Sequence, residues 1–168
     1  RDFCLSRGLG DVYKRQADKP LDFLAPADEP NPALGVRGLR ALLDHPEVLN
    51  TQLTALAKAS EGLPVDLEVM APMVADRADA RAFADACRSA GLRAKPGAMI
   101  EVPSAALRAR AVLREVEFLS LGTNDLAQYT FAADRQLGSV ARWQDPWQPA
   151  LLDLVALSAQ AAKAAGKD

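Results

Sequence analysis

The stretch FLSLGTNDLAQYTFAADR, Phe118 to Arg135, changes period partway along. Phe118 to Leu121 reads as a buried strand, and Gly122 ends it. Thr123, Asn124 and Asp125 then stand as polar side chains at the strand's carboxyl end. From Leu126 to Ala133 apolar residues return at helical spacing. Strand, polar corner and helix make one β/α unit. In parallel α/β folds ligands sit at the carboxyl ends of such strands. Arg135 closes the stretch ten residues after Asp125.

The same unit recurs upstream. VDLEVMAPM, Val65 to Met73, and GAMIEVP, Gly97 to Pro103, both suit strands. The spacing predicts a helix over Asp76 to Ala90, with Phe83 and Cys87 one turn apart and Gly91 closing it. Pro103 starts another helix, Ser104 to about Val116. Ahead of the strands, after a proline-rich acidic loop, Asn31 and Pro32 are an N-cap and a first helical residue for a helix through Ala33 to Leu43. Asp44 and Glu47 form a capping-box pattern before a helix from about Pro46 to Ser60. Val48, Leu49, Leu53, Leu56 and Ala57 share a face of that helix, and Gly62 stops it. The tail, Pro146 to Ala165, is an Ala/Leu helix ending at Gly166.

The order α-α-β-α-β-α-β-α-α predicts a parallel sheet with helices outside it. A closed eight-stranded barrel takes roughly 250 residues. The expected fold is therefore α/β, an incomplete (β/α)8 TIM barrel over residues 17–168. Residues 1–16 lack a sustained period and the alanine-rich character of the rest. They read as a foreign join or an irregular segment, and stand outside the fold argument.

Composition excludes several classes. The chain has 20 Lys and Arg against 22 Asp and Glu, a formal net charge of -2. That balance gives no reason to expect nucleic-acid or membrane-surface binding. Cys4 and Cys87 make neither a disulfide framework nor a metal-binding spacing, which points to a reducing, cytoplasmic compartment. No run of apolar residues is long enough to span a bilayer.

Two acidic residues draw attention: Glu101 at the end of GAMIEVP and Asp125 after FLSLG. Neighbouring parallel strands lie about 4.8 Å apart, so the two carboxylates could face one ion. Hard carboxylates without His or Cys suit Mg²⁺, which completes its octahedron with water and substrate oxygens. An equally open reading has Glu101 capping the next helix and Asp125 making an Asx turn. Arg135 is either an anion clamp or one half of a surface ion pair. Arg37 and Arg40 lie three apart and, taken alone, read as solvated. His45 precedes Pro46 and suits a loop or cap, and Met70, Met73 and Met99 suit a core.

NPALGVRGLR, MAPMV, GAMIEVPSAA and FLSLGTNDLAQYTFAADR occur in the order seen in the enzyme I family of the bacterial sugar phosphotransferase system. From about Asp18 onward the sequence resembles an internal piece of that family's phosphoenolpyruvate-binding barrel. The resemblance implies that Glu101 and Asp125 hold Mg²⁺, that Asn124 contacts the substrate phosphate, and that Arg37 and Arg135 neutralise phosphate and carboxylate charge. It implies Mg-dependent transfer of the phosphoryl group of phosphoenolpyruvate to an enzyme histidine. From there the group passes to the histidine-containing phosphocarrier protein, for sugar uptake. A homodimeric parent is also implied. In the family the acceptor histidine belongs to a separate N-terminal domain and the proton-donating cysteine to a later strand. His45, Cys4 and Cys87 match neither, so this chain alone is not expected to turn over. The alternatives are a barrel from pyruvate phosphate dikinase or phosphoenolpyruvate synthase, and a non-catalytic dimerisation module.

Overall fold

The computed structural model describes residues 29–168. The join expected over residues 1–16, and Cys4 within it, lie outside the described residues. A 3-10 turn, Pro32–Leu34, leads into α1 (Leu39–Asp44) and α2 (Pro46–Ser60). Then come β1 (Glu68–Ala71), α3 (Arg77–Ser89) and β2 (Lys95–Ile100). Two short helices follow, α4 (Pro103–Leu107) and α5 (Ala109–Val112), before β3 (Phe118–Leu121) and α6 (Thr123–Phe131). A second 3-10 segment, Gly138–Gln144, leads to α7 (Pro149–Ala165).

The strands form an open parallel sheet in the order β1-β2-β3. This is the α/β arrangement expected, three strands of a barrel with a helix after each. Register pairs Met70 with Gly97, Gly97 with Phe118 and Ile100 with Leu121. Side chains alternate across a strand. Val69, Ala71, Ala98 and Ile100 are fully buried in one cluster with Leu42, Leu53, Phe83, Val112 and Leu126. Burying a side chain of this kind contributes about 1.5–3 kcal/mol, so this seam holds helices to sheet. Of the methionines, Met73 is buried, whereas Met70 and Met99 are half-buried on the opposite side of the sheet.

Helix α3 forms as the sequence predicts. The Asp76 side chain accepts the Asp79 N–H at 3.0 Å, and Asp79 reaches back to the Ala75 N–H at 2.9 Å. Gly91 then takes a φ of 67° that most side chains disfavour. At the far end of the chain, Lys167 Nζ donates to the carbonyls of Leu113 at 3.0 Å and Val116 at 2.8 Å. The Leu119 N–H donates to the Asp168 carbonyl at 2.8 Å, tying the end of the chain to β3.

Four expectations need correction. The helix over Ala33 to Leu43 is broken: the chain unwinds after Leu34, and α1 starts only at Leu39. Gly38 takes a φ of 60°, and a Cβ there would lie 2.7 Å from the Met73 side chain, so backbone packs directly on Met73. The Asp44–Glu47 capping box does not form. Asp44 ends α1, and His45 holds the N-cap position of α2 without a side-chain hydrogen bond. The helix over Ser104 to Val116 divides at Arg108, whose N–H is shared between the carbonyls of Ser104 and Ala105. Finally, α6 begins at Thr123 rather than Leu126, so the polar corner is the helix's own first turn. No helix among the described residues is long and apolar enough to cross a membrane.

Candidate functional site

β2 ends at Ile100, and Glu101 is the next residue. Strand alternation puts Met99 and Glu101 on one side of β2, and Ser120 and Gly122 on the same side of β3. Gly122 therefore meets Glu101: a Cβ on Gly122 would sit 2.8 Å from Glu101 Oε2 and 3.1 Å from Met99 Sδ. Glu101 is fully buried. Its Oε1 accepts the Met73 N–H at 2.7 Å. Met73 itself has a φ of 59°, a conformation uncommon outside glycine, which places that N–H beyond the end of β1.

Three residues past Gly122, Asp125 lies in the first turn of α6 and is fully buried. Two guanidiniums converge on it: Arg37 Nη2 lies 3.8 Å and Arg135 Nη1 3.7 Å from Asp125 Oδ1. Arg37 is only 2% exposed, although it stands in the irregular segment before α1. Arg135 is one-quarter exposed. It reaches Asp125 because Ala132 adopts the left-handed conformation and turns the chain back after α6. Asn124, in the same helical turn as Asp125, is exposed.

One turn further along α6, Gln128 and Tyr129 share the face of Asp125. Gln128 Oε1 accepts the Arg135 N–H at 3.0 Å. The Tyr129 hydroxyl accepts from Arg37 Nη1 at 2.7 Å and donates to the Ala33 carbonyl. Burial pushes the Tyr129 phenol above its ordinary value, with Arg37 opposing and Asp125 adding to the shift. The phenol is thus neutral and able to donate near pH 7.

Of the residues singled out from sequence, Arg37, Asp125 and Arg135 meet directly, and Glu101 stands against Gly122 beside them. Arg40 turns away, donating to the carbonyls of Leu34 and Gly35. His45 is exposed at a helix start, 3.5 Å from Glu47. Burial holds the Cys87 thiol up at about 11, which leaves it inert. Sequence reading passed over Tyr129, Gln128 and the Met73 N–H. The i, i+3, i+4 spacing from Asp125 was the available signal for the first two.

No group of three or more His, Cys, Asp or Glu side chains gathers around a metal position among the described residues. Two buried carboxylates, one facing the space left by Gly122, nonetheless fit an ion such as Mg²⁺, which takes one or two protein carboxylates and keeps its waters. Among the described residues two guanidiniums stand against one aspartate, which favours an anion at the same place.

The sequence is similar to those of known proteins. Residues 12–168 match the family model described as PEP-utilising enzyme, PEP-binding domain. The chain is 87% identical over 156 residues to the phosphoenolpyruvate-protein phosphotransferase of Streptomyces coelicolor, covering 93% of this chain. It is 38% identical over 161 residues to the enzyme of the same name from Bacillus subtilis, covering 89% of this chain. With a multiphosphoryl transfer protein of Rhodobacter capsulatus it shares 40% identity over 154 residues, 88% of this chain and 18% of that one. The chain spans 28% of the length of the Streptomyces and Bacillus relatives. With nearly all of its residues inside the family model, the chain belongs to the PEP-utilising enzymes, as part of their PEP-binding domain.

Proposed function

We propose that this chain supplies the phosphoenolpyruvate site of a phosphoenolpyruvate-protein phosphotransferase. The observation that carries the reading is the meeting of Arg37 and Arg135 on buried Asp125, with buried Glu101 alongside. Phosphoenolpyruvate holds a phosphate and a carboxylate in mutual repulsion. Two guanidiniums, one of them buried, offset that repulsion and orient the anion by forked hydrogen bonds. Glu101 and Asp125 would hold Mg²⁺, which when bound supplies charge to the ligand's oxygens. Asn124, exposed beside Asp125, would donate its amide to the phosphate. Glu101 is held by the Met73 N–H, so its orientation is set before any ligand arrives.

In the reaction proposed for the whole protein, the bond between phosphorus and the enol oxygen breaks as a histidine of another domain bonds to phosphorus. The enolate then takes a proton to become pyruvate. The histidine-containing phosphocarrier protein receives the phosphoryl group, in the cytoplasm, and the whole protein is a homodimer.

The test is calorimetric titration of phosphoenolpyruvate into the chain, with and without Mg²⁺. Glu101→Gln and Asp125→Asn each remove an anionic oxygen and are expected to weaken Mg-dependent binding about tenfold or more. Arg135→Lys replaces a fork by a point charge and is expected to do the same. Binding by both carboxylate variants at the parent's affinity would show the metal assignment to be wrong.

A further inference from the structure

Arg37 is nearly fully buried, yet its three nitrogens are treated unequally. Nη1 donates to the Tyr129 hydroxyl at 2.7 Å. Nε and Nη2 make no hydrogen bond among the described residues; Nη2 has only the 3.8 Å approach to Asp125. Nε and Nη2 form one edge of the guanidinium plane, the edge that forks onto two oxygens of a phosphate or carboxylate. Nη1 lies at the other end.

The segment bearing Arg37 is irregular. It runs between the 3-10 turn at Pro32–Leu34 and α1, and Gly38 leaves it through a positive φ. Helical hydrogen bonding does not fix this arginine. Tyr129 does so from α6, more than ninety residues away in sequence. Its hydroxyl accepts from Nη1 and donates to the Ala33 carbonyl, joining the upstream turn to α6. The same oxygen lies 4.0 Å from Met73 Sδ, beside the backbone that holds Glu101.

We propose that Tyr129 is a positioning residue: its hydroxyl engages one end of the Arg37 guanidinium and so presents the Nε–Nη2 edge to the ligand anion. The claim about the ligand rests on the phosphoenolpyruvate reading above; the claim about Arg37 does not. Tyr129 touches no reacting atom. Its contribution is to the pre-orientation of a buried fork, which otherwise would have to be ordered when the anion binds.

The experiment uses the full chain, isotope-labelled, with three arms. In the first, Tyr129→Phe keeps the ring and loses the hydroxyl. The Arg37 Nε–H signal of the ligand-free chain is expected to lose order by ¹⁵N relaxation. In the second, Arg37→Met leaves Tyr129 untouched, and the Tyr129 ¹³Cζ shift, which reports hydrogen bonding at the phenol, is expected to move. In the third, phosphoenolpyruvate affinity is measured in a double-mutant cycle. Tyr129→Phe is expected to weaken binding about tenfold in the parent and less than about twofold in Arg37→Lys, where the fork is already gone. A merely structural tyrosine would weaken both backgrounds alike, and that result overturns the proposal. So does an unchanged Arg37 signal in Tyr129→Phe, or an unchanged Tyr129 shift in Arg37→Met. If the parent chain binds no phosphoenolpyruvate, the ligand reading falls, and the two spectroscopic arms alone decide the positioning role.

Discussion

Gly122→Ala puts a methyl group where Glu101 already stands. The added Cβ would lie 2.8 Å from Glu101 Oε2, 2.9 Å from Glu101 Cβ and 3.1 Å from Met99 Sδ. All three separations are well inside ordinary contact distance, and Glu101 is fully buried with Oε1 held by the Met73 N–H. To yield, the carboxylate has to break that bond or push Met99, among the described contacts. Overpacking of this kind costs about 1–3 kcal/mol. Gly122 has an ordinary negative φ, so alanine also narrows the unfolded ensemble, an offsetting gain of about 0.4–1 kcal/mol. Taken at mid-range, the two leave a net loss of about 1.3 kcal/mol, or about 3–5 °C in midpoint for a chain of this size. Phosphoenolpyruvate affinity should fall further than stability does, because the side chain displaced is the one proposed to hold the metal. Gly138→Ala is the control: no described residue lies within 4 Å of its Cβ position. Thermal unfolding and calorimetric titration of both variants provide the assay. A Gly122→Ala chain that melts and binds like the parent would refute the close approach of strand end to carboxylate.

The remaining predictions concern the frame around the site. Lys167→Met removes the ammonium that bonds the Leu113 and Val116 carbonyls, and should cost about 2 kcal/mol, read as a midpoint lowered by about 4–8 °C. The Arg81 and Arg77 guanidiniums hold the Glu115 carboxyl down at about 2 from an ordinary 4.5. Its stabilisation is therefore complete above pH 4.5 and lost as pH falls toward 2; Glu115→Gln should flatten the acid limb of the stability curve in that window, and parallel limbs would contradict the linkage. Burial raises the Cys87 thiol from 9.0 to about 11, so its contribution is whole below pH 9 and lost as pH rises through 11. In a Cys4→Ser background, alkylation of Cys87 should proceed at the rate of unfolding; fast labelling of the folded chain would show the thiol to be accessible.

Much of the frame was legible because local and tertiary signals agree. The three strands are short apolar runs followed by loop or helix starts, and Gly62, Gly91 and Gly166 stop the helices that precede them. The break before α1 was not legible, because Gly38 answers to Met73, a neighbour in space and not in sequence. Arg37 and Arg40 look alike in sequence, yet one is buried against Asp125 and the other caps the preceding turn. Glu101 and Asp125 could be picked out by their place after strands. Tyr129 was passed over despite its i+4 spacing from Asp125, since an aromatic residue on an amphipathic helix reads as core until its hydroxyl finds partners. Its bonds to Arg37 and Ala33 cross the break that sequence reading bridged with a continuous helix.

The pleat has a consequence for how this sequence tolerates insertions and deletions. Met99 and Glu101 face the same way only because two residues separate equivalent sides of a strand. Adding or removing one residue inside β2 would send the carboxylate to the helix side, among Ala98 and Ile100 and their apolar neighbours. The same change between Glu61 and Leu67, ahead of β1, alters only the length of a connection. Single-codon indels in this stretch of gene should therefore be purged from β2 and accepted in the loop, whatever the chemistry of the residue gained or lost.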